Sequence, residues 1–144
     1  MEALTAWLPL EGMEDELLLE SVRCDLGKLR VTLSRGKGAL RVLSIDFGEP
    51  QAFRMQPQHV YMNEPWWGTL SSASVYLVEN SKYRAWLRDS SLGIFDQQFK
   101  HFCIITADDA LDVLTLKSPV ATWIDCSLVS ALPPNTSLEQ TREG

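Results

Sequence analysis

Alternation of apolar and polar residues is the strongest pattern in this chain. From Phe99 to Leu116 it reads FKHFCIITADDALDVLTL, two apolar runs around a short polar break. Successive side chains of a strand point to opposite sides. Phe99, His101, Cys103 and Ile105 therefore share one face, and Lys100, Phe102, Ile104 and Thr106 the other. Apolar residues on both faces predict a strand buried on both sides. Ala107-Asp108-Asp109 is of turn-forming type, and Leu111 to Leu114 runs back. The stretch predicts a buried antiparallel hairpin on which other elements pack.

A second hairpin is predicted further upstream. Val22 and Cys24 alternate before Leu26-Gly27, and Leu29, Val31 and Leu33 alternate after it. A two-residue turn there sets Val22 opposite Val31. Glu11, Glu14, Asp15, Glu16, Glu20 and Asp25 crowd the first half, while Lys28, Arg30, Arg35, Lys37 and Arg41 crowd the next stretch. The opposite charges are expected to meet on a solvated face and offset one another. Arg35-Gly36-Lys37-Gly38 reads as a turn. It lacks the glycine spacing and the following Lys-Ser/Thr of a phosphate loop.

Leu40 to Phe47 alternates as a strand and ends at Gly48-Glu49-Pro50. Ala52 to Met55 is an edge strand, bracketed by Pro50 and Pro57. Val75 to Glu79 is a strand, and Asn80 or Ser81 caps a helix over Lys82–Ser90. Tyr83, Trp86 and Leu87 form its apolar stripe, and Gly93 marks its end. Pro119 precedes a last strand, Val120 to Cys126, and Trp7, Leu8 and Leu10 suit an N-terminal flap. The expected fold is α+β: a mainly antiparallel sheet of six to eight strands with one principal helix, about 81–90, packed on it. A single domain over 1–131 and a flexible polar tail over 132–144 complete the layout.

Composition narrows the function classes. The chain has 144 residues, 45% hydrophobic and 22% charged, which is ordinary for a globular domain. Its formal net charge of −6 argues against nucleic-acid binding, which needs a basic face, and favours a basic partner. No apolar run approaches the roughly 20 residues of a membrane helix, and acids occupy the place of a signal peptide's apolar core. Cys24, Cys103 and Cys126 are widely spaced and read as reduced, mostly buried thiols of a cytoplasmic protein. No cofactor is expected.

The segment Gln56 to Gly68, QPQHVYMNEPWWG, places large aromatics in a loop. They either dock on the core or form a recognition patch, with Tyr61, Glu64, Trp66 and Trp67 as the candidate interaction surface. Chemical candidates are few. His101 and Cys103 project the same way with Cα atoms roughly 6.5–7 Å apart, a spacing that suits an inert buried pair as well as a reactive one. His59 stands in the aromatic loop without a partner at a meaningful spacing. Asp108, Asp109 and Asp112 lack the glycine and terminal Glu of a calcium loop and read as turn carboxylates.

Several short motifs carry a resemblance. ESVRCDLGKLRVTLS follows an early tryptophan; a strand ends in Phe53-Arg54; Tyr83, Trp86, Leu87 and Ser90 make a Tyr-x-x-Trp-Leu helix ending in Ser; and His101 to Leu114 reads HFCIITADDALDVL. The stretch 14–123 resembles small uncharacterised bacterial β-rich proteins, some of which look like immunity proteins of polymorphic toxin systems. Where related chains often carry a His-Asp pair, this one reads Met13-Glu14-Asp15. The resemblance implies a fold and a class of role, not an activity; the acidic balance, the aromatic loop and the missing catalytic set favour a non-enzymatic module of immunity type that holds a basic toxin domain. Two alternatives stay open: a small hydrolase or metal-dependent enzyme using His101, His59 and the acids, and a small-ligand carrier with a cavity lined by Trp86 and Phe102.

Overall fold

Leu26-Gly27 forms the two-residue turn, with φ of 51° and 80°, the left-handed pair that matches the twist of a tight hairpin. Val22 consequently faces Val31, as the alternation predicts. The computed structural model describes residues 1–94 and 98–126. Its strands are β1 (Ala3–Ala6), β2 (Leu18–Asp25), β3 (Lys28–Ser34), β4 (Arg41–Gly48), β5 (Ala52–Pro57), β6 (Val75–Glu79), β7 (Lys100–Ile105), β8 (Asp109–Thr115) and β9 (Val120–Asp125), and helix α1 spans Lys82–Ser90. The expected tail over 132–144 lies outside the described residues.

The strands number nine among the described residues, above the expected six to eight, and they divide between two antiparallel sheets. One holds five strands in the order β1-β6-β7-β8-β5, the other four in the order β2-β3-β4-β9. Alternation tells which residues share a face but not which sheet a strand joins, so the division was not legible. The fifth and first strands form the edges of the larger sheet, and Pro57 ends β5 at that edge as expected.

The core lies between the sheets. Leu29, Val31 and Leu33 of β3 and Leu43, Ile45 and Phe47 of β4 meet Phe102, Ile104, Leu111 and Val113 of the β7–β8 hairpin. Each is buried, and burial of such side chains contributes roughly 1.5–3 kcal/mol apiece. Trp7 joins this core edge-on to Phe102, with ring centres 5.3 Å apart. Leu8, expected to pack beside it, is exposed. Leu10 packs on the core with Trp7, and the residues ahead of this flap form a short strand, β1, paired with β6 from Ala3↔Glu79 to Ala6↔Tyr76.

Charge on the first hairpin is arranged differently from the expectation. Arg23 stands directly opposite Arg30, and each finds its acid elsewhere: Arg23 pairs with Asp25 on its own strand, and Arg30 with Asp46 on β4. The register dictated by the turn puts like charges across from each other, so the neighbours along and beyond the pair must neutralise them.

Helix α1 begins at Ser81, whose hydroxyl accepts the Arg84 amide at 2.9 Å. It ends with Gly93 N–H on Arg88 O and Leu92 N–H on Asp89 O, the double bond of a helix terminus that turns left-handed. The residue that takes the left-handed conformation beyond the last turn is Leu92, φ 54°, ahead of Gly93. Tyr83 and Leu87 pack with Phe99 and Leu114 on the outer face of the larger sheet. Trp86 departs from the expected stripe: it is 55% exposed and stacks on Tyr83. Of the stripe, Tyr83 is buried and Leu87 half-buried against the sheet, while Trp86 covers only the Tyr83 ring. Trp86 and Phe102 share no cavity, since Phe102 faces the other sheet. No helix among the described residues is long and apolar enough to cross a membrane.

Candidate functional site

The outer face of the larger sheet carries a polar cluster built by register. Asp112 on β8 stands opposite Cys103 on β7 and opposite Arg54 on β5. His101 is two residues from Cys103, hence on the same face and diagonal to Asp112. Its Nε2 lies 2.7 Å from Asp112 Oδ1, and its Nδ1 lies 2.6 Å from Ser81 Oγ. The arrangement that satisfies every group has Nε2–H donating to Asp112, the Ser81 hydroxyl donating to Nδ1, and Oγ accepting the Arg84 amide.

The second carboxylate oxygen of Asp112 is also occupied. Arg54 Nε donates to it at 3.2 Å, and the Tyr61 hydroxyl makes a short hydrogen bond to it. Arg54 Nη2 in turn donates to the Tyr61 hydroxyl at 3.2 Å, and its guanidinium lies 4.1 Å over the Tyr83 ring. Burial alone pushes the Asp112 carboxyl up, but the bonds from His101 and Tyr61 and the Arg54 charge outweigh it and hold it below the usual carboxylate range. The Tyr61 phenol is pushed well up, by burial first and by Asp112 next, so it remains a donor. Burial lowers Arg54, yet Tyr61 and Asp112 more than reverse that. The Cys103 thiol is pushed far up by burial and by Asp112. A thiol kept protonated is a poor nucleophile.

The aromatic loop closes over this cluster in two 3-10 turns, Gln58–Tyr61 and Trp67–Thr69. Trp66 is buried, and its indole N–H donates to Glu2 Oε1 at 3.2 Å. Glu2 Oε2 accepts the Lys82 amide at 2.9 Å, a carboxylate at the positive end of α1. Lys82 Nζ reaches Glu64 Oε2 at 2.8 Å, and this bond raises the ammonium's pKa. Tyr61, Trp66 and Trp67 form a run of ring contacts at 5.5 and 6.2 Å. Docking therefore prevails over a free patch for Tyr61, Glu64 and Trp66, while Trp67 stays half-buried.

Beneath the loop is a cavity of about 60 Å³, lined by Glu2, Arg54, Trp66, Lys82, His101 and Asp112 among others. Drug-sized ligands occupy roughly 300–1,000 Å³, so this space suits a few waters. Among the described residues no set of three or more His, Cys, Asp or Glu side chains is placed to hold a metal ion.

The structure thus unites His101 and Asp112 with Tyr61, Glu64 and Trp66, two groups of candidates that the sequence kept apart. It leaves His59 exposed on the first 3-10 turn, Asp108 in the β7–β8 turn and Asp109 as the first residue of β8, none of them bonded to the cluster. Asp112 is no turn carboxylate but the fourth residue of β8, 1% exposed. Of the thiols, Cys103 is buried and Cys126 half-buried, whereas Cys24 is exposed near the tip of its hairpin, against expectation. Sequence reading missed Glu2 and took Ser81 only as a possible cap. The signal for both is three-dimensional, since Glu2 reaches Lys82 only through β1–β6 pairing. No protein-family model, curated protein or solved structure matches the chain.

Proposed function

We propose that this chain is a non-enzymatic protein-binding module of immunity-protein type, which holds a basic partner through its acidic exterior. The observation that carries the reading is where charge is left uncompensated. In the His101–Asp112 cluster both imidazole nitrogens and both carboxylate oxygens have partners, and no buried side-chain nitrogen or oxygen among the described residues lacks one. Outside it, Glu11, Glu16, Glu49, Glu79 and Asp108 are exposed and make no ion pair among the described residues. A closed polar cluster stiffens a scaffold. Unpaired surface carboxylates raise association rates with a cationic surface.

Co-expression with the products of adjacent genes tests the reading. A basic domain is expected to co-purify in fixed ratio and to dissociate as salt rises. Failure of every such product to bind, measured by calorimetry with purified proteins, removes the reading.

One observation favours the hydrolase alternative. Ser81, His101 and Asp112 follow one another as nucleophile, base and orienting carboxylate, at 2.6 and 2.7 Å. Against it, Ser81 Oγ is committed to capping α1 and Ser81 is 8% exposed. Labelling by a fluorophosphonate that is lost in Ser81→Ala would install this reading. The absence of labelling on native protein sets it aside.

A further inference from the structure

A second opening lies between the end of the aromatic loop and the β7–β8 turn. This groove, about 300 Å³, is lined by Trp67, Leu70, Tyr76 and Ile105, with Glu16 and Ala107 also on its wall. It shares no lining residue with the small cavity over His101. Among the described residues two of its groups have no polar partner: the Glu16 carboxylate makes no ion pair, and the Trp67 indole N–H makes no hydrogen bond. No basic residue among the described residues lines it. Of the acids beside it along the chain, Asp15 is paired with Arg35 at 3.1 Å and Glu14 accepts the Gly12 amide, while Asp108, after Ala107, is exposed.

We infer that this groove receives an arginine- or lysine-bearing loop of the basic partner; the inference rests on the protein-binding reading above. A long cationic side chain has an apolar stem and a charged head. Leu70 and Ile105 offer apolar wall to the stem. The Trp67 ring and the Glu16 carboxylate offer a π face and a counter-charge to the head. Charge complementarity selects the occupant: an acidic segment would meet Glu16 with no cation in the wall to receive it.

The test is a titration of the isotope-labelled full chain with a tetra-arginine amide peptide at low salt, followed by two-dimensional NMR. The Trp67 indole resonance and the amides of 70–73 and 105–107 are expected to shift together and saturate. Glu16→Gln and Trp67→Ala should each weaken binding about two- to fivefold. Glu16 is exposed, so its substitution leaves the fold intact even if Trp67→Ala does not. Shifts that spread over the surface without saturating, or centre elsewhere, overturn the inference. Equal affinity of an adjacent-gene product for native protein and for Glu16→Lys overturns the groove but leaves the binding module standing. Saturation of the groove by the peptide, with no such product binding, upholds the groove and removes the immunity-type reading.

Discussion

His101 and Asp112 sit diagonally on adjacent strands, joined Nε2 to Oδ1 at 2.7 Å and only 4% and 1% exposed. A buried ion-pairing group stripped of its partner is among the costliest changes a fold can suffer. Asp112→Ala is expected to lower unfolding free energy by about 3–5 kcal/mol, since it strands His101, Arg54 and Tyr61 at once. Urea denaturation measures this. Asp112→Asn, which keeps the shape, should cost less. A loss under about 1 kcal/mol for Asp112→Ala would show that the cluster relaxes into water.

The same carboxylate sets an acid limb. Its folded pKa is held below the unfolded value, about 3.9 for a free Asp. Its contribution is therefore fully present above the unfolded value and is lost as pH falls through the folded one. Denaturation midpoints measured from pH 6 downward should fall steeply below about pH 4. The Asp112→Asn variant should show a shallower fall over that range.

Two exposed leucines hold left-handed backbone, Leu26 at φ 51° and Leu92 at φ 54°, and both are over 90% exposed. A branched side chain gains nothing there and strains the backbone by roughly 1–2 kcal/mol. Leu26→Asn and Leu92→Gly are each expected to raise stability by about 0.5–1 kcal/mol, read as a higher thermal midpoint. No change in either would mean that the unfolded chain gains as much freedom as the native strain relieved.

Thiol chemistry should separate the three cysteines. In native protein Cys24 is expected to react first with an aromatic disulfide reagent, and Cys24→Ser should abolish the fast phase. Cys103 should react only once urea opens the fold, because burial and Asp112 keep it protonated. A fast phase surviving in Cys24→Ser would place a second reactive thiol at the surface.

Local elements were legible where one short-range rule fixes them. The turn at Leu26-Gly27 determines the Val22–Val31 register, and the serine before Lys82 determines where α1 starts. Alternation placed His101 and Cys103 on one face correctly. It could not show that Asp112 joins them, because aspartate is scarce within strands and Asp108-Asp109 nearby reads as a turn. Arg54 and Tyr61 arrive only through β5–β8 pairing, a contact between segments more than fifty residues apart, with Arg54 and Asp112 separated by 58. β1 was missed because Ala-Leu-Thr-Ala has a weak pattern, and an edge strand is defined by the neighbour it finds.

The two sheets are completed by opposite ends of the chain. β1 waits for β6, with Ala3 against Glu79, and β4 has its second neighbour only when β9 arrives, with Arg41 against Asp125. On a ribosome, then, the nascent chain carries the β1 seam unzipped until Glu79 has emerged, and the β4 seam until almost everything described has been synthesised. Such long closures make folding slow and leave bare strand edges open to wrong neighbours in the meantime. Stalling or truncation ahead of residue 120 should yield aggregates rather than a smaller working domain.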